Sequence, residues 1–405
     1  NFILESLQID NFLNIGLSAP TGKATARLKE ALNDKKNISF SKFLDQIEFQ
    51  TLHRWILNSQ NKSLKLKFKL KELDIFIIDE MSMVNIDLIE SVLNLLAKDC
   101  KIILVGDKNQ LSPVNNCSIW NYLFEYSDNS SIKSCVVNLE KTYRNIGDIA
   151  LISSLIFNND FSLLNQKIKE LEKDNNSKEI TISKSREKDI PKDLFFSITS
   201  HLKQLNISTS NLSKKKYIFD ESIDNLLLNE KDLVDKIFLD LQSHLILCEK
   251  NSGIWSVEYL NEIVFGQKKP YDLKTLKEGV PIMCTKNNNE LGLSNGDIGV
   301  LIGLKNKRKY LFRKFNDNNE EIVALIDPSN LENVVPAIAI TIHKSQGSES
   351  EKVNILWSQN YRRNQYAVKE KKENQNIFCR DNFERRLFYT AVTRAKKSLN
   401  IYYLN

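Results

Sequence analysis

The sequence contains no run of about 18 apolar residues free of charge, and its N-terminus has neither the basic nor the apolar region of a signal peptide. Neither membrane spanning nor export is expected, and a cytoplasmic address is the default. Six cysteines, Cys100, Cys117, Cys135, Cys248, Cys284 and Cys379, stand singly with no CxxC spacing, which argues against a disulfide framework and a zinc site. They read as reduced structural thiols. Glycine is scarce, at 12 residues, so each is expected where a turn or a close backbone approach requires it. Gly292, Gly296, Gly299 and Gly303 cluster, and Gly22, Gly106 and Gly347 stand apart. No two glycines are five residues apart, so the chain holds no GxxxxGK phosphate loop. Ala19-Pro20-Thr21-Gly22-Lys23-Ala24 comes near, but Gly16 is six positions from Gly22 and Ala24 stands where a Mg²⁺-binding hydroxyl is required. The chain opens at Asn1 without an initiator methionine, and Phe2-Ile3-Leu4 with Leu7 has the spacing of the tail of an amphipathic helix. Both features read as a fragment.

What is present is the composition of a soluble globular protein of two to three domains. Of 405 residues, 41% are hydrophobic and 27% charged. The formal net charge of +6 is too small to imply a polyanionic partner by itself. Residues 15 to 145 alternate short apolar runs with helical patterns, as a parallel α/β sheet does. Ile15–Ser18, Ile75–Ile78 and Ile102–Val105 read as strands, Ala24–Leu32 and Ile86–Leu96 as helices. Lys62–Lys71 alternates lysines with apolar residues, either as an edge strand guarded by charge or as a hairpin lying beside a phosphate backbone. Residues 155 to 240 read as a helical connector, amphipathic near Ile168–Leu171 and Leu233–Leu241. A second α/β pattern follows, with strands at Leu245–Cys248, Pro281–Cys284, Ala337–Ile342, Val353–Trp357 and Leu399–Tyr403. Within it, residues 296 to 335 have the short strands and polar turns of a small β-barrel insertion. Tyr361–Arg380 reads as a polar, basic surface loop.

Chemistry is concentrated where apolar runs end in polar groups. Ile75-Phe76-Ile77-Ile78 leads directly into Asp79-Glu80, and in an α/β sheet the crevice beyond the carboxyl ends of the strands is where ligands bind. One acid there can hold Mg²⁺ and the other can orient or deprotonate an attacking water. Such a pair is also common as a solvated strand end. Ile102–Val105 ends similarly in Gly106-Asp107-Lys108-Asn109-Gln110-Leu111.

The ordered set of motifs resembles superfamily 1 helicases and, within them, the RecD family, alpha subunits of bacterial exodeoxyribonuclease V. Leu17–Ala24 resembles motif Ia, Thr51-Leu52-His53-Arg54 the next DNA-facing element, Asp79–Val84 motif II and Gly106–Val114 motif III. Leu139 with Tyr143-Arg144 resembles motif IV, Glu290–Asp297 the entry to a β-barrel insertion, Thr341–Glu349 motif V and Tyr389–Ala395 motif VI. Met81 and Ser350 depart from the residues common in those motifs.

The resemblance implies an α/β fold of two RecA-like P-loop NTPase domains with parallel sheets: residues 1–150, a helical connector at 151–240, and 241–405 carrying an SH3-like β-barrel insertion. It places the missing phosphate loop just upstream of motif Ia. It implies ATP and Mg²⁺ as cofactors, with Asp79 and Glu80 at the metal and the attacking water. Gln110 would sense the γ-phosphate, and Arg144 and Arg394, one from each motif, would stabilise transition-state charge. Gly347 and Glu349 would lie by the nucleotide, Glu349 on the ribose. Thr21, His53, Thr341, His343 and Lys344 match positions near single-stranded DNA. Taken individually, the histidines are also explained by capping or packing, Arg394 by a surface position beside Lys396 and Lys397, and Trp55 and Trp120 by core packing rather than base stacking. The implied function is an ATP-dependent 5′→3′ helicase subunit that acts with RecB-like and RecC-like partners on duplex DNA ends, in a bacterial cytoplasm, at the nucleoid. A stand-alone helicase and a non-hydrolysing DNA-binding module are the alternatives.

Overall fold

The structure is a computed structural model. It describes residues 13–33, 47–60, 68–112, 120, 123, 134–139, 147–173, 179–185, 189–215, 230–288, 290–303, 307–315, 321–358, 378–379 and 381–404. The chain divides into two compact units, Asn1–Leu139 with Phe315–Glu321, and Glu140–Lys314 with Ile322–Asn405.

In the first unit four strands form a parallel sheet in the order β2-β1-β3-β4: β1 Ile15–Ala19, β2 Ile47–Thr51, β3 Ile75–Ile78 and β4 Lys101–Leu104. β1 is buried along its whole length and β3 nearly so, which is why both read as continuous apolar runs rather than alternating ones. Among the described residues, helices span Gly22–Asn33, Leu52–Gln60 and Ile86–Leu93. On one face Leu52, Trp55, Leu70, Phe76, Ile78 and Met81 are buried together. Trp55 meets Phe76 edge to face at 5.6 Å, and its indole N–H donates to the Leu17 carbonyl at 3.4 Å. Trp55 and Trp120 therefore serve the core and are not base-stacking groups.

Two local expectations are corrected. The helix capped by Asn85, whose side chain accepts from the Leu88 N–H at 2.9 Å, ends at Leu93 rather than Leu96. The amides of Leu95 and Leu96 both turn back to the Val92 carbonyl. The lysine-alternating segment is outside the described residues at 61–67. Its far end, Leu70–Glu72, is a 3₁₀ turn and not a strand, because Leu70 is drawn into the core and its N–H donates to Ser59 Oγ at 3.1 Å.

In the second unit a parallel sheet runs β12-β6-β13-β14-β5, comprising β5 Ile180–Ser185, β6 His244–Cys248, β12 Ile340–Thr341, β13 Ser350–Trp357 and β14 Ala395–Leu404. The 151–240 stretch contains the expected helices, at Phe161–Lys173, Lys192–Ser213 and Lys231–Ser243, and also β5, which pairs with β14 and so belongs to the sheet. Polar side chains tie four strands together within this unit. Thr181 Oγ1 donates to Asn400 Oδ1 at 2.6 Å, Asn400 Nδ2 donates to Asn354 Oδ1 at 2.7 Å, and the Asn354 amide meets the His244 ring.

The insertion is a five-stranded sheet, β10-β9-β8-β7-β11, with antiparallel pairing, built from β7 Pro281–Cys284, β8 Ile298–Ile302, β9 Lys309–Phe315, β10 Glu321–Ile326 and β11 Val334–Pro336. It begins at Pro281, before the expected 296, because β7 pairs antiparallel with both β8 and β11 instead of entering the parallel sheet. Among the described residues no helix is long and apolar enough to cross a membrane.

Candidate functional site

The first unit gathers its candidate groups at the carboxyl ends of β1, β3 and β4. The Asp79 N–H donates to the Ser18 carbonyl at 2.9 Å, Val105 N–H to the Ile78 carbonyl at 2.8 Å, and Met81 N–H to the Val105 carbonyl at 3.0 Å. These bonds carry the sheet registers past the strand ends and bring Asp79, Glu80 and the turn from Gly106 side by side. Asp79 Oδ1 accepts from the Glu80 N–H at 2.8 Å. Glu80 itself adopts φ 53° and ψ 41°, the left-handed region that a non-glycine residue enters at a cost of about 1–2 kcal/mol. Both carboxylates remain half-buried.

Gly106 faces the same turn. A Cβ there would sit 3.1 Å from Met81 N and 3.2 Å from the Trp120 ring, so the close approach expected of a scarce glycine is realised. In the following turn Asn109 N–H donates to Asp107 Oδ1 at 2.9 Å and Gln110 N–H to the Asp107 carbonyl at 3.2 Å. Gln110 is buried, with Oε1 lacking a hydrogen-bond partner among the described residues, as do the buried hydroxyls of Ser18 and Ser82. Buried polar atoms of this kind are costly unless something pairs with them, and three of them lie on or next to segments that meet the two acids.

Thr21 and His53 also belong to this unit. Thr21 Oγ1 accepts from the Ala24 N–H at 3.2 Å, the N-terminal cap of the Gly22–Asn33 helix. The cap uses the oxygen as acceptor, which leaves the hydroxyl proton able to donate to a phosphate. His53 is exposed in the first turn of the Leu52–Gln60 helix, which removes packing as its explanation.

The second unit brings together the residues from Thr341 to Glu349 and Arg394. Thr341 ends β12, and Ile342–Ser345 forms a 3₁₀ turn closed by a bond from Ser345 Oγ to the Ile342 carbonyl at 2.7 Å. His343 and Lys344 are half-buried on it, and burial lowers the pKa of both, with Lys269 adding to the effect at Lys344. Gly347 follows at φ +69°, a conformation that suits glycine.

Arg394 is only 1% exposed. Its Nε donates to the Thr390 carbonyl at 3.0 Å, Nη1 to the Ser348 carbonyl at 3.2 Å and Nη2 to Thr393 Oγ1 at 3.1 Å. It is therefore no surface arginine: it fastens the helix Asn382–Val392 to the segment around Gly347. Glu349 pairs with Lys396 at 2.9 Å. Arg144 lies outside the described residues. No group of three or more His, Cys, Asp or Glu side chains able to hold a metal occurs among the described residues. A metal at Asp79 and Glu80 would thus be held by one or two carboxylates completed by substrate phosphates, a donor set that suits Mg²⁺.

Sequence reasoning missed the left-handed Glu80, the burial of Arg394 and the exposed Phe383 beside His343. It also missed Glu249, after β6, whose carboxylate accepts from the Ser358 N–H at 2.6 Å and from its hydroxyl at 3.2 Å. Burial pushes that carboxyl up to about 7. None of these has a sequence signature, since each depends on what neighbouring segments place around the residue.

Comparison with known proteins agrees with the motif order. Residues 2–116 match the AAA domain model and residues 304–405 the UvrD-like helicase C-terminal domain model. The chain is 31% identical to the RecBCD enzyme subunit RecD of Buchnera aphidicola subsp. Schizaphis graminum, over 96% of the chain and 65% of that protein. Its identity to the corresponding Haemophilus influenzae subunit is 27%, over 99% of the chain and 63% of the relative. The chain thus spans a little under two-thirds of the length of these relatives. Among solved structures, the Pif1 helicase from Bacteroides bound to ADP-AlF3 and single-stranded DNA aligns over 99% of this chain and 90% of its own, with a TM-score of 0.45 and 17% identity. By its matched domains and its relatives, the chain is similar to RecD subunits along nearly all of its length and carries helicase-type domain matches at both ends.

Proposed function

We propose that the chain is the motor portion of an ATP-dependent 5′→3′ DNA helicase subunit, which works with RecB-like and RecC-like subunits on broken duplex ends in double-strand break repair and recombination, in the bacterial cytoplasm at the nucleoid. The observation that carries this reading is the placement of Asp79 and Glu80 at the carboxyl end of a buried parallel strand, against a turn that presents Gln110. Asp79 would hold Mg²⁺ and Glu80 would orient and deprotonate the attacking water. Bound ATP would supply the phosphoanhydride whose hydrolysis drives motion. Gln110, buried with an unpaired oxygen, is the group that would register the γ-phosphate. Arg144 and Arg394 would balance negative charge as it develops, and Gly347 and Glu349 would stand by the nucleotide. Arg394 is bonded to the Ser348 carbonyl, so a change at its guanidinium would bear first on the segment that follows the turn carrying His343 and Lys344. Thr21, His53, Thr341, His343 and Lys344 would hold a single strand through its phosphates, which gives grip without base preference.

Glu80→Gln in the full-length protein tests the assignment. The amide keeps size and hydrogen bonding but cannot take a proton, so nucleotide binding should persist while DNA-stimulated hydrolysis falls by about 100-fold or more. Turnover near wild type would remove Glu80 from the role.

A further inference from the structure

Phe383 is the second residue of the Asn382–Val392 helix and is 56% exposed, whereas Leu387, Phe388, Ala391 and Val392 of the same helix are buried. Its position is well defined, because Asp381 caps the helix by accepting from the Glu384 N–H at 2.8 Å. The phenyl centroid lies 6.0 Å from that of the His343 ring, with the planes tilted by 31°. The two rings touch, so no base can enter between them. His343, half-buried and held toward its neutral form, braces one side of the phenyl ring. The other side meets solvent. Lys344 follows His343 directly in the same turn, and its ammonium is disfavoured by burial and by the charge of Lys269, itself paired with Glu258 at 2.7 Å. An anion arriving beside Lys344 would relieve both costs.

We propose that the outer face of Phe383, backed by His343, is a stacking platform for one base of a single strand whose adjacent phosphate sits on Lys344. The proposal rests on the reading of the Thr341–Lys344 segment as a strand contact. Every base has a π-face, so one aromatic can grip any sequence, as a motor moving over arbitrary DNA requires. A phenyl ring also releases a base readily, since it makes no hydrogen bond that must break at each step.

The test measures binding by the full-length protein of a fluorescent oligothymidylate of about 12 nucleotides and of an abasic strand of equal length. Phe383→Ala should weaken binding of the thymidylate by roughly 5- to 100-fold and leave the abasic strand unchanged. Phe383→Trp should restore affinity, and its indole emission should be quenched when the thymidylate binds. Lys344→Ala should weaken both strands alike. If Lys344→Ala weakens binding while Phe383→Ala binds the thymidylate like wild type, stacking is overturned and the strand contact stands. Loss of partner subunits from Phe383→Ala with strand binding intact also overturns it, in favour of a protein contact. If the wild-type protein binds neither strand, the underlying reading fails as well.

Discussion

Glu80 and Arg394 are each held in an arrangement that their neighbours impose. The left-handed backbone at Glu80 sits between two demands, one on each side of it: Asp79 N–H reaches the Ser18 carbonyl, and Met81 N–H reaches the Val105 carbonyl. The strain is consistent with a carboxylate aimed for chemistry rather than for stability. That acids would end β3 was legible, because Ile75–Ile78 is wholly apolar and breaks off at Asp79; the twist at Glu80 was not, because the bonds on either side of it reach segments distant in sequence. Arg394 was legible by motif alone. Its burial follows from the short turn between Val392, where the helix ends, and Ala395, where β14 begins, which folds the side chain inward. Arg394→Ala should therefore remove the three hydrogen bonds that tie Thr390, Thr393 and Ser348 together and lower unfolding stability by about 3 kcal/mol in denaturant titrations. A loss below about 0.5 kcal/mol would contradict the structural part of its role. A fall in ATP turnover in that variant would have to be read beside its stability.

The elements of the second unit carry a buried polar layer whose protonation sets how stability depends on pH. His201, from the Lys192–Ser213 helix, meets the His244 ring edge to face at 4.9 Å. Burial holds His201 down to about 4, against an opposing pull from Asp240, and holds His244 down to about 3, with His201 and Lys352 adding to the effect. Both rings stay neutral in the folded state while the unfolded chain takes up protons below 6.5, so each costs stability as pH falls through that value. Glu249 acts in the opposite direction. Its carboxyl, raised to about 7, keeps a proton that the unfolded chain has released above 4.5, so its contribution is complete below 4.5 and is lost as pH rises through about 7. Between 4.5 and 6.5 the unfolded chain thus holds two of these protons that the folded state lacks and lacks one that it holds. Stability should therefore rise with pH there, and Glu249→Gln should steepen the rise. Chemical denaturation of the full-length protein at several pH values measures both, and a flat or falling profile would contradict the burial of the two rings. Strands and helices in this unit were readable from periodicity. The cross-strand ladder from Thr181 to His244 was not, because it joins residues from β5, β6, β13 and β14 that only the sheet order makes neighbours. β5 itself was hidden for a related reason: Ile180 and Ile182 alternate with polar residues in a segment dominated by helix-like patterns, and its pairing with β14 spans more than half the chain.

Over the whole molecule, motif order made the likeness to RecD subunits readable, whereas the extent of the insertion needed pairing information. A parallel sheet of apolar strands, a second parallel sheet and an antiparallel insertion account for the architecture. In the proposed function, this architecture would turn ATP hydrolysis into movement along one DNA strand. Strand displacement by the full-length protein, on duplexes with either a 5′ or a 3′ single-stranded tail, tests it most directly. The expected result is unwinding of the 5′-tailed duplex that requires ATP and Mg²⁺ and is abolished by Glu80→Gln. A folded protein that binds the tail and hydrolyses no ATP, or that separates the strands equally well without it, would contradict the claim.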